Sequence, residues 1–267
     1  MVNLTSFLLA VLAHILSDFL FQTEKMVQAK NRKQWAGFFQ HALIVILMSV
    51  LLLHAYETLK VFIFALIIGT IHFWIDFLRY SWTAKSSKSD FFGFIFDQIL
   101  HFGVIFGTWL LIDLKPELAV ERFYASLYSM KTMTAIQQKI PNLTINVDQL
   151  LVILIITFFI CWGGAIFIKK FLRLLMKEDE NILQSFPVDH YKNTGYYIGI
   201  IERLIILILV VNNALAGTAF IFTAKSIARF NELNDKQFAE YYLVGTLTST
   251  ALAMCGGLFL KYLLEVV

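Results

Sequence analysis

Long apolar runs dominate the chain, lying near Leu4 to Phe21, Phe38 to Tyr56, Val61 to Leu78, Phe91 to Leu114, Gln149 to Ile168, Gly195 to Val211 and Tyr241 to Leu260. A helix needs roughly 17 to 25 such residues to cross hydrocarbon, so each run is predicted as a span. Ala214 to Ala224 is marginal in length and fits a short tilted helix, a re-entrant element or the continuation of a kinked sixth span. The expected fold is an all-α integral membrane protein, a polytopic bundle of about seven or eight transmembrane helices. The first four spans are expected to form an up-down bundle around a polar site.

Polar residues interrupt the apolar runs at a fixed interval. His14-Ile-Leu-Ser-Asp18, His72-Phe-Trp-Ile-Asp76 and the reversed Asp97-Gln-Ile-Leu-His101 each place two ionisable groups four residues apart, on one helix face. Each such group within hydrocarbon costs several kcal/mol by most scales, so the three pairs and His41 point to a site.

Composition agrees with a membrane chain. Of 267 residues 58% are hydrophobic, with 26 Phe against 3 Pro, and mean hydropathy is +0.70. Net charge is only +3, and the cations cluster in short connections, a pattern of membrane orientation with no nucleic-acid-binding signal. Cys161 and Cys255 lie in apolar runs without CxxC spacing, so no disulfide framework is expected. The first run lacks a basic leader and carries His14 and Asp18; it is expected to be retained as a span.

Connections rich in Lys25, Lys30, Arg32 and Lys33, in Arg79, Lys85 and Lys88, and in Lys169, Lys170, Arg173 and Lys177 are predicted to be cytoplasmic, which puts the amino terminus outside. Three regions follow: a four-helix half at 1–114, an extracytoplasmic interfacial segment at 115–148, and a second half at 149–267 with a cytoplasmic linker at 169–194. The interfacial segment holds the sequon Asn142-Leu-Thr144, and the linker holds His190 and a turn at Phe186-Pro187. On this topology alternate spans run in opposite directions. The order His then Asp in the first and third spans, and Asp then His in the fourth, therefore sets every Asp about one turn, or ~6 Å, nearer the cytoplasm than its His. His41, early in the second span, falls in the same layer.

Helical bundles build dinuclear metal sites from inward-facing His and carboxylate side chains. His14, Asp18, His41, His72, Asp76, Asp97 and His101 are the expected metal ligands, and their nitrogen and oxygen atoms suit one or two divalent transition ions, zinc, manganese or iron. Gln22, Gln40 and Gln98 are candidates to orient the imidazoles. A bound ion would acidify water, with Asp18, Asp76 or Asp97 as proton acceptor. The bland alternative is that each His bonds its own Asp and merely glues helices together. In the second half, Arg203, Lys225, Ser226 and Arg229 could cradle a phosphate or lipid headgroup; equally, Glu202 and Glu240 could hold these cations in salt bridges. Gly256-Gly257 reads as a close helix contact.

His14-x-x-x-Asp18-Phe-x-x-Gln22, His41, His72-x-x-x-Asp76 and Asp97-Gln98-x-x-His101 resemble a family of bacterial multi-pass inner-membrane proteins, the domain of unknown function 3307. Glu202-Arg203, Ala224-Lys-Ser-Ile-Ala-Arg-Phe230 and Glu240-Tyr-Tyr-Leu-Val-Gly-Thr246 resemble its longer members. The resemblance implies a bacterial inner-membrane location and carries no activity. A weaker similarity, limited to the HxxxD elements, links the chain to membrane-bound metal-dependent hydrolases. The leading expectation is a metal-dependent hydrolase at the cytoplasmic leaflet, acting on a lipid-linked or phosphorylated amphiphile among the membrane lipids. A cation or proton transporter using the same layer, and a sensor or scaffold with a structural metal, are the alternatives.

Overall fold

The computed structural model describes residues 3–82, 86–118, 120, 146–175 and 194–266. Most of the interfacial segment, with its sequon, lies outside these residues, as do the greater part of the linker, its Phe186-Pro187 turn and His190. The described residues are helical without a strand: α1 (Leu4–Phe19), α2 (Glu24–Asn31), α3 (Trp35–Leu52), α4 (Thr58–Trp82) and α5 (Ser87–Leu111) come first. α6 (Val147–Phe158) continues through a π-helical turn, Phe159–Gly163, into α7 (Gly164–Leu175). α8 (Thr194–Val211), α9 (Gly217–Ala228) and α10 (Lys236–Val266) complete the chain.

Five helical stretches are long and apolar enough to cross a membrane: α3, α4, α5, the continuous α6–α7 and α10. A sixth is added if α1 and α2, bent by 77°, count as one span. The protein is thus a polytopic helical membrane protein. α1 stops after 16 residues, short of the single span expected through Phe21, because the polar run after Phe21 starts a new helix. Thr23 caps α2, its hydroxyl accepting from the Met26 N–H at 3.4 Å. α9 has 12 residues, about 18 Å of rise, and is too short to cross alone.

Contacts divide the chain into two compact units, one of Met1–Trp82 with Phe96–Ile155 and the other of Thr83–Ile95 with Ile156–Val267. Within the first, the indole of Trp109 late in α5 donates to Asn3 and Ser6 at the start of α1. The turn joining α3 to α4 bonds the chain just beyond α5, through Glu57 N–H to Lys115 O and Glu117 N–H to Ala55 O. One end therefore collects the start of α1, the end of α3, the start of α4 and the end of α5, which makes these four helices antiparallel neighbours. Their outward faces are apolar: Phe39, Leu43, Leu47 and Leu51 form an exposed stripe at four-residue spacing on α3. An exposed apolar stripe over buried polar side chains inverts the soluble pattern and suits lipid.

α2 folds back against α3. It ends at Lys33 in the left-handed conformation, φ 56°, and Gln34 N–H returns to Ala29 O at 2.9 Å. α3 then passes close to α2 at Gly37. A Cβ there would stand 2.8 Å from Ala29 Cβ and 3.0 Å from the backbone at Lys30 and Met26. Gly37→Ala is expected to lower stability by about 1–3 kcal/mol through overpacking. Gly103→Ala, where a Cβ meets nothing within 4 Å, serves as control. Thermal unfolding in detergent reads both; equal behaviour of the two variants would contradict the close approach.

Candidate functional site

All seven expected ligands are buried in the first unit. His14 and Asp18 come from the last two turns of α1, His41 from the second turn of α3, His72 and Asp76 from the last three turns of α4, and Asp97 and His101 from the middle of α5. Antiparallel packing brings these positions to one level. They form three overlapping groups, His14 with Asp18 and His72, His41 with His72 and Asp76, and Asp76 with Asp97 and His101. Within each group one ligand atom per residue lies within 4.8 Å of the others. His72 and Asp76 each belong to two groups.

The three pairs within a helix are not hydrogen-bonded to each other. If each pair were a simple hydrogen bond, its atoms would stand at about 2.7–3.2 Å. They stand instead at 3.6 Å for His14 Nδ1 and Asp18 Oδ1, 3.7 Å for His72 Nε2 and Asp76 Oδ2, and 3.8 Å for His101 Nδ1 and Asp97 Oδ1. Around Asp18 Oδ1 gather His14 Nδ1, His41 Nε2 and His72 Nε2, at 3.6, 3.2 and 3.5 Å. Ligand atoms about 2.1 Å from a tetrahedral ion stand roughly 3.4 Å apart. The 3.5 and 3.6 Å separations fit that spacing, while His41 Nε2 stands at hydrogen-bond distance from Asp18 Oδ1, 3.2 Å, and from His72 Nε2, 2.8 Å, and so links α3 to α1 and α4.

Unmet hydrogen-bonding capacity points the same way. Both ring nitrogens of His14 and of His101 are buried without a hydrogen-bond partner among the described residues, as are Nδ1 of His41 and of His72 and Oδ1 of Asp97. Buried polar atoms are nearly always satisfied, so a cluster of orphans marks a place for a ligand. The imidazoles also lie against one another, His72 and His101 with centroids 3.9 Å apart and His14 and His101 at 5.1 Å.

The three glutamines that sequence nominates to orient the imidazoles are placed differently. Only Gln98 enters the site, and its amide donates to carboxylates, Asp18 Oδ2 at 3.2 Å and Asp97 Oδ2 at 3.3 Å. Gln40 is exposed and Gln22 only half-buried. Gln40 directly precedes His41, and adjacent helical side chains point about 100° apart.

Two cations that read as loop anchors in the sequence belong to the site instead. Lys30 is 0% exposed, its Nζ bonded to Asp76 Oδ2 and 5.8 Å from the centroid of Tyr80. Arg79 donates to Asp97 Oδ2 at 3.1 Å. The signal is present in the spacing. Lys30 extends the half-buried stripe of Met26 and Val27 on α2, and Arg79 lies three residues beyond Asp76 on the face that carries His72. Lys25, Arg32 and Lys33 stay exposed.

In the second unit the cations expected at a headgroup pocket have partners within the chain. Arg203 is buried, donating to the Cys161 carbonyl at 2.6 Å and to Ser249 Oγ at 3.2 Å. That carbonyl lies in the π-helical turn, and the guanidinium bonds it there. Lys225 pairs with Glu202 at 2.7 Å, while Arg229 pairs with Glu232 at 3.4 Å. Arg203, Lys225 and Arg229 each have a partner of their own, the salt-bridge alternative for Lys225 with Glu202 among them, and Ser226 is exposed. Gly256 and Gly257 are tight contacts, where a Cβ would come within 2.7 Å of Ile160 and 2.8 Å of Val210. Arg203→Met should lower stability by about 1–3 kcal/mol by orphaning the Cys161 carbonyl. Lys225→Ala should cost under about 1 kcal/mol as a half-buried pair. Unfolding in detergent checks the order.

No curated protein and no solved structure matches the chain. Residues 6–126 match the model of a family described as protein of unknown function (DUF3307), and every one of the seven clustered His and Asp residues falls within that stretch. The first of the two membrane units thus carries its His/Asp site in a segment that matches the model of the DUF3307 family.

Proposed function

We propose that the protein is a metal-dependent hydrolase of the bacterial inner membrane, acting on a lipid-linked or phosphorylated amphiphile from the cytoplasmic leaflet. The observation that supports this reading is the convergence of four imidazoles and three carboxylates in three overlapping groups able to hold an ion, with several buried ring nitrogens lacking a hydrogen-bond partner among the described residues. His14, Asp18, His41 and His72 would hold a divalent ion, which supplies acidified water when bound. A carboxylate oxygen of Asp76 or Asp97 would accept the proton released by attack. The positive-inside pattern of Lys25, Arg32 and Lys33 supports placing this end of the bundle at the cytoplasm.

Lys30 and Arg79 favour chemistry over ion passage. A path for cations gains nothing from two fixed positive charges beside its carboxylates, whereas hydrolysis of a phosphoryl or acyl group builds negative charge that such cations stabilise. Complete burial of the seven residues favours the transport reading, because an ion enters an enclosed site more readily than a lipid does. The two are separated by giving metal-loaded protein phosphatidic acid or a long-chain pyrophosphate in detergent micelles. Release of inorganic phosphate that stops with chelator or with Asp18→Asn supports the hydrolase. Absence of release, together with metal-ion flux in proteoliposomes, would overturn it.

A further inference from the structure

We propose that Lys30 occupies the place of a second cation, so that the centre holds a single divalent ion at its His14, Asp18 and His72 end. This inference rests on the metal centre proposed above and specifies its nuclearity. Three overlapping ligand groups would by themselves suit two ions. The two groups farther from His14 both depend on Asp76, and Asp76 Oδ2 already holds the Lys30 ammonium. The same oxygen lies 3.7 Å from His72 Nε2 and 3.8 Å from His41 Nε2. The ammonium thus sits on the one carboxylate that an ion in either group would need. Asp97, the other carboxylate of the third group, is engaged by Arg79.

Charge counting agrees. Asp18, Asp76 and Asp97 bring three negative charges, and Lys30 with Arg79 brings two positive ones, leaving a net of one negative charge with neutral imidazoles. One divalent ion turns this into one net positive charge, which a single hydroxide or phosphodiester neutralises. Two ions would leave three positive charges in an enclosure removed from water, which burial strongly disfavours. Among the described residues Asp18 carries no ammonium or guanidinium on its carboxylate; it receives the Gln98 amide and faces three imidazoles, so it remains the open pole.

Tethering comes from the fold. α2 turns back from α1 by 77°, and its close approach to α3 at Gly37 places the Lys30 backbone next to that glycine. Lys30 therefore enters the site as part of a docked helix.

Titrating metal-depleted, detergent-purified protein with zinc and counting retained ions tests this. One ion per chain is expected for the wild type and two for Lys30→Met, with Lys30→Arg keeping one. Should Lys30→Met not fold, manganese in the wild type gives the answer alone: an uncoupled six-line paramagnetic signal fits one ion, and a spin-coupled spectrum overturns the proposal. Two ions in the wild type, or one in a folded Lys30→Met, would likewise overturn it while leaving the metal centre standing. A wild-type chain that binds no ion would remove both.

Discussion

If the His/Asp cluster holds the proposed ion, replacing His72 with alanine should reduce retained ion to less than about one-tenth of the wild-type level after desalting. His72 occupies the middle of the site. Its Nε2 lies 2.8 Å from His41 Nε2, 3.5 Å from Asp18 Oδ1 and 3.7 Å from Asp76 Oδ2, and its ring lies against that of His101. Loss of a partner that merely orients a ligand weakens metal sites ~10–100-fold, and loss of a ligand shared by two groups should exceed that. His54→Ala, at an exposed histidine in the turn after α3, should leave retention unchanged. Equal retention by the two variants would mean that the imidazole cluster is helix packing. A drop confined to His72→Ala ties the ion to the geometry described.

The second large effect is on stability. Asp76→Ala leaves the Lys30 ammonium buried without its carboxylate, and breaking a buried pair by removing one partner destabilises by about 3–5 kcal/mol. Lys30→Met on the same background removes the stranded charge and should recover at least half of that loss, since the two residues are in direct contact. Denaturant unfolding in detergent, at fixed metal and pH, measures both single variants and the double one. If the double variant loses the sum of the single effects, Lys30 and Asp76 are not coupled and the ion pair is not part of the site. The pair links α2 to the site, since Lys30 on α2 bonds Asp76 on α4 and Gly37 lets α2 and α3 approach.

Much of the bundle and most of the site are legible in the sequence, for physical reasons. An ionisable side chain inside an apolar run is conspicuous, and four-residue spacing sets two of them on one face whatever surrounds the helix. Alternating span direction then predicts that His14, His41, His72 and His101 share a level, and the packing of α1, α3, α4 and α5 brings them together. Lys30 is hidden because positive charge in a short connection reads as membrane orientation. Only the fold of α2, an eight-residue helix that doubles back, reveals that its last turn faces inward. Arg203 misleads for the converse reason. Cations near one another on neighbouring segments suggest an anion pocket, but a π turn whose Cys161 carbonyl takes the guanidinium cannot be seen in the composition of that segment. Hydropathy ends the first run at Phe21, close to the observed break, but it reads the Lys25 to Lys33 connection as a loop because it registers apolar length and not the helix cap at Thr23.

The centre itself is tested most directly by X-ray absorption at the metal edge of protein purified in detergent without added chelator. One transition ion per chain is expected, with a shell of nitrogen and oxygen at about 2.0–2.2 Å, no sulfur, and the outer scattering of imidazole. Protein that carries no stoichiometric transition metal, or a shell containing sulfur at about 2.3 Å, would contradict it.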